Sequence, residues 1–507
     1  ERQPLQSTQH KARCSLRSIA VESVIFVIWV KLLIVNMILH VLWGMHSLVD
    51  ACLGFLQPNK TRPHVVIVGA SFGGLAAQRE LAGRRDVKVT LIDFKKYFEY
   101  TPGVLRCFVK PSFLHHLTCP LPARRNELLI GSMCGATDEA VVVRDAQGVE
   151  RQVSFDYLLL AVGSTYADPI KPSASEPTLA ERATSWRDAA AKLETAQSVI
   201  IVGAGAVGIE LAGEILTVFP NKRVTFVDMA STILPGFDDI ASSYARAWLD
   251  RHGAELVLGE PIENILADSL LLKSGRELRA DVVYKCVGVM PNTAMLNDSP
   301  YASSFGFRNS IEVNDQLQVA GHPNVYCVGD AMSHATRELK LGHTAEVNAH
   351  LAARNILLSV HGKPLLAYPR GITGADTTPK IYCLSLGRYD AVMGFNGLVL
   401  RGWLVAVMKW LLEWTKVAAA GERPVGVLFW HVADGMSMWL GRTLLRPKSE
   451  TGGADARVIA KGPATIDPKR SWVPHPMLNF LKNPICADLG LLLLRVLTAS
   501  LIVHHGL

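Results

Sequence analysis

No two of the nine cysteines are close in sequence. They stand at 14, 52, 107, 119, 134, 286, 327, 383 and 486. The lack of a C-x-x-C argues against a zinc ribbon and against a thioredoxin-type redox pair. A C-x-x-x-x-C pair, the sign of a dithiol-relay reductase, is missing too, and Cys107 stands alone where it would fall. Charge is scarce. Only 19% of residues are charged against 49% hydrophobic, too apolar for an ordinary soluble enzyme and too polar for an all-membrane protein. Basic runs interleaved with aromatics are absent, so nucleic acid is not an expected partner. The net charge of +7 suits an anionic membrane surface and dinucleotide phosphates. Position 1 is not Met, and residues 1–20 hold four basic residues and one acid, a weak match to the remnant of an organellar transit sequence.

Two glycine-rich motifs are present, 134 residues apart. The first runs His64-Val65-Val66-Ile67-Val68-Gly69-Ala70-Ser71-Phe72-Gly73-Gly74. The second runs Ser198-Val199-Ile200-Ile201-Val202-Gly203-Ala204-Gly205-Ala206-Val207-Gly208. Each β-branched run reads as a buried parallel strand, and the glycines turn it into a helix whose N-terminus points at a pyrophosphate. Asp93 ends a second strand 24 residues after Gly69, and Asp228 does so 25 after Gly203. Either carboxylate can accept from a ribose hydroxyl. One such motif is a weak signal; two complete units imply two dinucleotides. The economical pair is a flavin and a nicotinamide that exchange a hydride.

At 507 residues the chain has room for about three domains. Residues 1–60 are expected to hold a membrane anchor helix and a linker. The apolar run 24–49 is long enough to span, but Lys31, Asn36, His40 and His46 interrupt it, so an in-plane helix competes. The two histidines read as packing or interfacial groups, and no metal is assigned. Residues 61–194 form the first part of an FAD domain, 195–304 an inserted NAD(P)H domain, and 305–370 the rest of the FAD domain. A membrane-docking region follows over 371–446. Its helix candidate, 401–416, carries Trp403, Trp410 and Trp414 on apolar surface and Lys409, Glu413 and Lys416 on a polar stripe suited to lipid headgroups, with a helix packed on the body as the alternative. A linker over 447–475 leads to a candidate membrane segment over 476–507. The expected fold is α/β: two Rossmann-type domains, one inserted in the other, with membrane-associated helices at both ends.

Motif order assigns the cofactors. The first unit opens the body, and its sheet resumes at Gly329-Asp330, so it should hold FAD through Gly69, Ser71, Phe72, Gly73, Gly74 and Asp93. Ser71 replaces the usual middle glycine, and its hydroxyl can bond a phosphate instead. Asp330 can reach the flavin's ribityl or phosphate region, or can be a plain helix cap. Gly163, after the strand 157–160, and Gly288 are further expected cofactor contacts. The second unit should bind NADH through Gly203, Gly205, Gly208 and Asp228. A 2′-phosphate would meet the Asp228 carboxylate, although Arg223, close by in sequence, keeps NADPH open. Glu210, two residues after Gly208, is expected in the first helical turn near a bound anion that it repels. That cost suggests a catalytic purpose, such as orienting the nicotinamide or relaying protons; the alternative is a carboxylate that merely favours the helix dipole.

The chain resembles the type II NADH dehydrogenases, especially the ferroptosis suppressor branch of apoptosis-inducing-factor-like NAD(P)H:quinone oxidoreductases. The resemblance covers about residues 63–416. It rests on Leu91-Ile92-Asp93 with Tyr97-Phe98 and Leu105-Arg106, on Gly208-Ile209-Glu210-Leu211-Ala212-Gly213-Glu214, on Leu317 to Tyr326 with Gly329-Asp330, and on Leu386-Gly387-Arg388. It implies FAD, hydride transfer from NAD(P)H, and two-electron reduction of a lipid quinone. It places Thr101 and Pro102 in a flavin-contacting loop. Thr344-Ala345-Glu346-Val347-Asn348 is similar to the quinone-site helix, with Glu346 where Gln is usual. A carboxylate there would be costly if buried and ionised, and proton delivery through it is an expectation. The segment from Asp488 is similar to the first helix of DoxX-like membrane domains. The resulting expectation is a non-proton-pumping NADH:quinone oxidoreductase of a mitochondrial inner or plastid membrane. Its partners would be quinone, the bilayer and other subunits. The rivals are a reductase of a ferredoxin-like carrier and an accessory flavoprotein of a larger complex.

Overall fold

The structure is a computed structural model. It describes residues 62–430 apart from 83, 85, 123–126, 167–168 and 375, together with 432–433 and the helical residues 22–28, 30, 31, 34, 35 and 38. The chain divides into two units, Glu1–Pro447 and Lys448–Leu507, and the second lies wholly outside the described residues, as does the DoxX-like segment. Most of the N-terminal apolar run lies outside them too. Among the described residues no helix is long and apolar enough to cross a membrane.

The first motif folds as read. Strand β1 (His64–Val68) leads into α1 (Phe72–Leu81), β2 (Lys88–Asp93), β3 (Glu127–Ile130) and β4 (Tyr157–Leu160). β1 runs parallel to β2 and to β4, with Val65, Val66 and Ile67 fully buried. Such strands are covered on both faces and therefore read as continuous apolar runs. A short strand β5 (Ser164–Thr165) and the long helix α2 (Leu179–Thr195) follow. Thr178 and Glu181 close a capping box at the start of α2. Arg182, fully buried on that helix, donates to Glu99 at 2.7 and 2.8 Å and to Glu176 at 3.2 Å.

The second motif repeats the pattern. It comprises β6 (Ser198–Val202), α3 (Ala206–Val218), β7 (Arg223–Asp228), β8 (Glu255–Leu258) and β9 (Val282–Lys285). They form a four-stranded sheet in the order β8-β7-β6-β9, all parallel. β10 (Met290–Pro291) then crosses back and pairs antiparallel with β5. The chain re-enters the first sheet through β11 (Gln318–Val319) and β12 (His322–Cys327), completing the order β11-β12-β4-β1-β2-β3. Thus the whole second sheet is threaded between β4 and β12, neighbours in the first. Helix α4 (Gly342–Val360) packs along α1. A three-stranded sheet, β13 (Ile381–Ser385), β14 (Ala391–Phe395) and β15 (Leu398–Arg401), follows, and then helix α5 (Trp403–Ala420).

Candidate active site

The chain leaves β1 at Gly69 with φ at 103°, a conformation that glycine adopts readily and side chains resist. Gly74 packs so close to that turn that a Cβ on it would lie 1.6 Å from the Gly69 carbonyl oxygen. Helix α1 can therefore start directly over the strand end. Ser71 precedes α1 and makes no capping hydrogen bond, which suits its hydroxyl to a phosphate. Asp93, at the end of β2, accepts from the Ala70 N–H at 2.6 Å, the Lys95 N–H at 3.0 Å and the Lys95 ammonium at 3.1 Å. Three donors leave a carboxylate room for a ribose hydroxyl. A Cβ on Gly73 would lie 3.2 Å from Val328, and one on Gly329 3.2 Å from Ala345. The first motif, the loop after β12 and the first turn of α4 thus converge. Phe72 packs edge-on against Phe98 and Tyr100.

Asp330 is not a helix cap. Val328 precedes its short turn, Gly329–Ala331, and Leu341 caps α4. Its carboxylate accepts instead from Ser164 at 2.5 Å and Lys171 at 3.0 Å. Burial pushes this carboxyl up, but Lys171 and Ser164 outweigh it and hold it below the ordinary range. Gly163 lies one residue from Ser164, and its carbonyl accepts from Asn292 just past β10 at 3.0 Å.

In the second cradle a Cβ on Gly208 would lie 2.0 Å from the Gly203 carbonyl oxygen. Gly205 differs: a Cβ there would meet nothing within 4 Å. Protein packing does not require glycine at 205, whereas the close approach of a pyrophosphate would. Asp228 accepts from Ala204 N–H at 2.6 Å and Ala230 N–H at 2.8 Å. Both cradles therefore fit adenine dinucleotides. Gly288, past β9, has φ at 55°, and the Arg308 guanidinium lies 3.2 Å from where its Cβ would stand. One expectation is corrected. Arg223 begins β7 and pairs with Ser198 at the far end from Asp228, about 16 Å along an extended strand, so it does not face a 2′-phosphate beside Asp228.

The largest departure concerns α5. Its polar stripe faces the protein interior, not a headgroup layer: Lys409, Glu413 and Lys416 are buried, while Leu404 and Met408 are 45% and 41% exposed. The reason lies on the helices it covers. Glu210 is the fifth residue of α3, not in its first turn, and it pairs with Lys409. It also accepts from the Ser385 N–H at 2.8 Å and hydroxyl at 3.0 Å. Its charge therefore does not stand alone against a bound anion. Glu346, on α4, pairs with Lys416 and lies 3.7 Å from the Arg79 guanidinium. Lys416 also sits 3.2 Å from the centre of the Trp430 ring. The cost expected for a buried, ionised Glu346 is thus offset by two cations. One turn from Glu210, Glu214 accepts from Nη2 and Nε of Arg106 at 3.0 and 3.2 Å. Arg106 belongs to the 3-10 helix Thr101–Phe108, which also carries Thr101 and Pro102.

Residues 63–349 match the family model described as pyridine nucleotide-disulphide oxidoreductase. The chain belongs to this family. It is accordingly a pyridine-nucleotide oxidoreductase whose cofactors are FAD and NAD(P)H. Among its relatives is ferroptosis suppressor protein 1 of Homo sapiens, 29% identical over 370 residues, 68% of this chain and 92% of that protein. Two solved structures share its fold. A sulfide:quinone oxidoreductase from Aquifex aeolicus aligns over 75% of this chain and 95% of its own, at 17% identity and a TM-score of 0.60. NDH2 from Plasmodium falciparum in complex with NADH aligns over 76% and 99%, at 13% and 0.56. In this member of the family the described cysteines are all free. Cys107 is fully buried, and burial pushes its thiol well above the ordinary range.

Sequence reading missed Lys171, Arg79 and Ser385, and it turned Lys409 and Lys416 outward. Two signals pointed the other way: carboxylates at 210 and 346 that needed cations, and a helix with lysines on only one face.

Proposed function

We propose that this oxidoreductase works at a membrane surface, taking a hydride from NADH and passing two electrons through FAD to a lipid quinone. The observation that carries the reading is the orientation of α5. It buries three charged side chains against the catalytic body and leaves Leu404 and Met408 outside; on β15, the strand that precedes it, Leu398 and Leu400 are 49% and 43% exposed. An enzyme with a water-soluble acceptor gains nothing from that apolar rim; one whose substrate partitions into lipid does. Exposed Phe26, Val30, Ile34 and Ile38 recur at intervals of four on the described N-terminal helical residues and add a second apolar stripe. A quinone is the acceptor named in the sulfide:quinone oxidoreductase that shares the fold.

In this reading Gly203, Gly205 and Gly208 hold the NADH pyrophosphate and Asp228 its ribose. Gly69, Ser71, Gly73, Gly74 and Asp93 hold the adenine-dinucleotide part of FAD. Gly163, Gly329 and Asp330 hold the middle of that cofactor, and Phe72, Thr101, Pro102 and Gly288 line the remaining contacts. When bound, FAD would supply the two-electron redox chemistry that links nicotinamide and quinone. Glu210, fixed by Lys409 and Ser385, orients the nicotinamide end. Glu346, with Lys416, faces the quinone headgroup.

Anaerobic stopped-flow of the detergent-solubilised holoprotein tests this. Flavin absorbance is followed as NADH is added, then a short-chain ubiquinone or plastoquinone analogue. The reading predicts bleaching by NADH and rapid recovery with quinone. Bleaching without recovery would assign the electrons to another acceptor, such as a protein carrier.

A further inference from the structure

Of the charged groups on the inner face of α5, Glu413 is the odd one. Lys409 and Lys416 each have a carboxylate partner. Glu413 is only 7% exposed, and among the described residues no hydrogen bond or ion pair holds its carboxyl. It lies against the turn that carries Thr101 and Pro102: a Cβ on Gly103 would stand 2.7 Å from Glu413 Oε2. Tyr100, just before that turn, is 8% exposed, and its hydroxyl likewise has no hydrogen-bond partner among the described residues. Two buried polar groups without partners border one loop. Groups of that kind cost stability unless something else uses them.

We propose that Glu413 is the proton donor to the quinone reduced at this site. The inference rests on the quinone reading above. Reduction of a quinone to a hydroquinone consumes two electrons and two protons. A hydride delivers both electrons and one proton, and the second proton needs a donor at the site. The Glu413 O–H bond breaks, a new O–H bond forms on the quinone oxygen, and the carboxylate then recovers a proton from water. Glu346 is less suited to this step, because Lys416 and Arg79 already engage its carboxylate.

The surroundings of Glu413 set when it carries the proton. Arg106 faces it from the 3-10 helix and Lys409 from its own helix, and both favour the carboxylate. Glu214 and Glu210 face it from α3 and favour the acid, and Tyr100 and Cys107 also lie close. Burial is the largest influence, and together these place the carboxyl at about 7. A donor there is loaded and reloadable near neutral pH.

The test compares wild type with Glu413→Gln, a neutral near-isostere, and Glu413→Asp, both as holoenzyme. NADH bleaches the flavin, and reoxidation by a short-chain ubiquinone is then followed from pH 5 to 9. In wild type reoxidation slows as pH rises through about 7. In Glu413→Gln it is slower by roughly a hundredfold and loses that pH dependence. Glu413→Asp restores part of the rate with a shifted profile. A second readout does not depend on turnover: the infrared carbonyl stretch of a protonated carboxyl, present at pH 5.5 in wild type, fades through the same range and is missing in Glu413→Gln. Unchanged reoxidation and pH profile in Glu413→Gln overturn the inference while the quinone reading stands, as does the lack of that titrating band. Wild type that is bleached but never reoxidised by quinone overturns both.

Discussion

Lys409 of α5 meets Glu210 of α3 across 199 residues of sequence, and both side chains are buried. The pair joins α5 to the nucleotide-binding unit, and Ser385 is bonded to both partners. Removing one partner leaves a buried charge without its counter-ion. Lys409→Met should therefore destabilise by about 3 kcal/mol or more, whereas Lys409→Met combined with Glu210→Gln should recover most of the loss. Denaturant unfolding of both singles and the double measures the coupling. Strictly additive costs would mean that the pair does not hold the helix.

Gly205 and Gly208 separate ligand demand from packing demand. Gly205→Ala should leave unfolding unchanged, since a Cβ there meets no protein atom within 4 Å, yet weaken NADH binding by crowding the pyrophosphate. Gly208→Ala should lower stability or prevent folding, because its Cβ would be 2.0 Å from a backbone oxygen. Calorimetric NADH titration alongside thermal unfolding distinguishes the two. If Gly205→Ala binds NADH as wild type does, the second cradle is not the NADH site.

With Arg223 at the far end of its strand, the nicotinamide preference falls to Asp228. Asp228→Asn keeps an oxygen for one of the N–H groups at Ala204 and Ala230 but drops the charge a 2′-phosphate would meet. The NADPH-to-NADH ratio of kcat/KM should rise by roughly tenfold, about 1.4 kcal/mol of relieved repulsion. No change in the ratio would remove Asp228 as the selector.

Both sheets were legible because their signal is local. A β-branched run, a glycine turn and an acid at the end of the next strand recur at Val65–Gly74 and Val199–Gly208, and that pattern depends on near neighbours in sequence. The inward stripe of α5 was not legible. Amphipathicity says that a helix has two faces; it does not say which face turns to water. That choice was made by Glu210 and Glu346, whose buried carboxylates needed cations, 199 and 70 residues away from the lysines that supply them. Arg223 failed for the complementary reason: it is close to Asp228 in sequence, but five residues of extended strand carry it about 16 Å away.

If the outer face of α5 meets lipid, the contact should be measurable apart from catalysis. Leu404→Glu with Met408→Glu changes only exposed positions, so folding should survive. Partitioning onto anionic liposomes in a flotation assay should weaken by roughly tenfold or more, since each apolar side chain withdrawn from water contributes about 1.5 kcal/mol or more. Reduction of a long-chain quinone in those liposomes should fall, whereas a short-chain quinone in detergent should still be reduced. Undiminished flotation would move the membrane contact away from this helix.

Glu413 also makes a prediction about stability. Its folded carboxyl sits at about 7, raised chiefly by burial from an unfolded value of 4.5. The folded state therefore holds a proton that the unfolded chain has released between those values. The resulting stabilisation is fully present below pH 4.5 and is lost as pH rises through about 7. At its full extent the loss is about 3 kcal/mol for this one group. Glu413→Gln cannot ionise and should escape it. The difference in unfolding free energy between variant and wild type should swing in the variant's favour from pH 5 to pH 8, with most of the change between pH 5 and 7. Parallel pH curves for the two proteins would mean that Glu413 is ionised throughout, and the loaded donor at α5 would then be lost along with its stability signature.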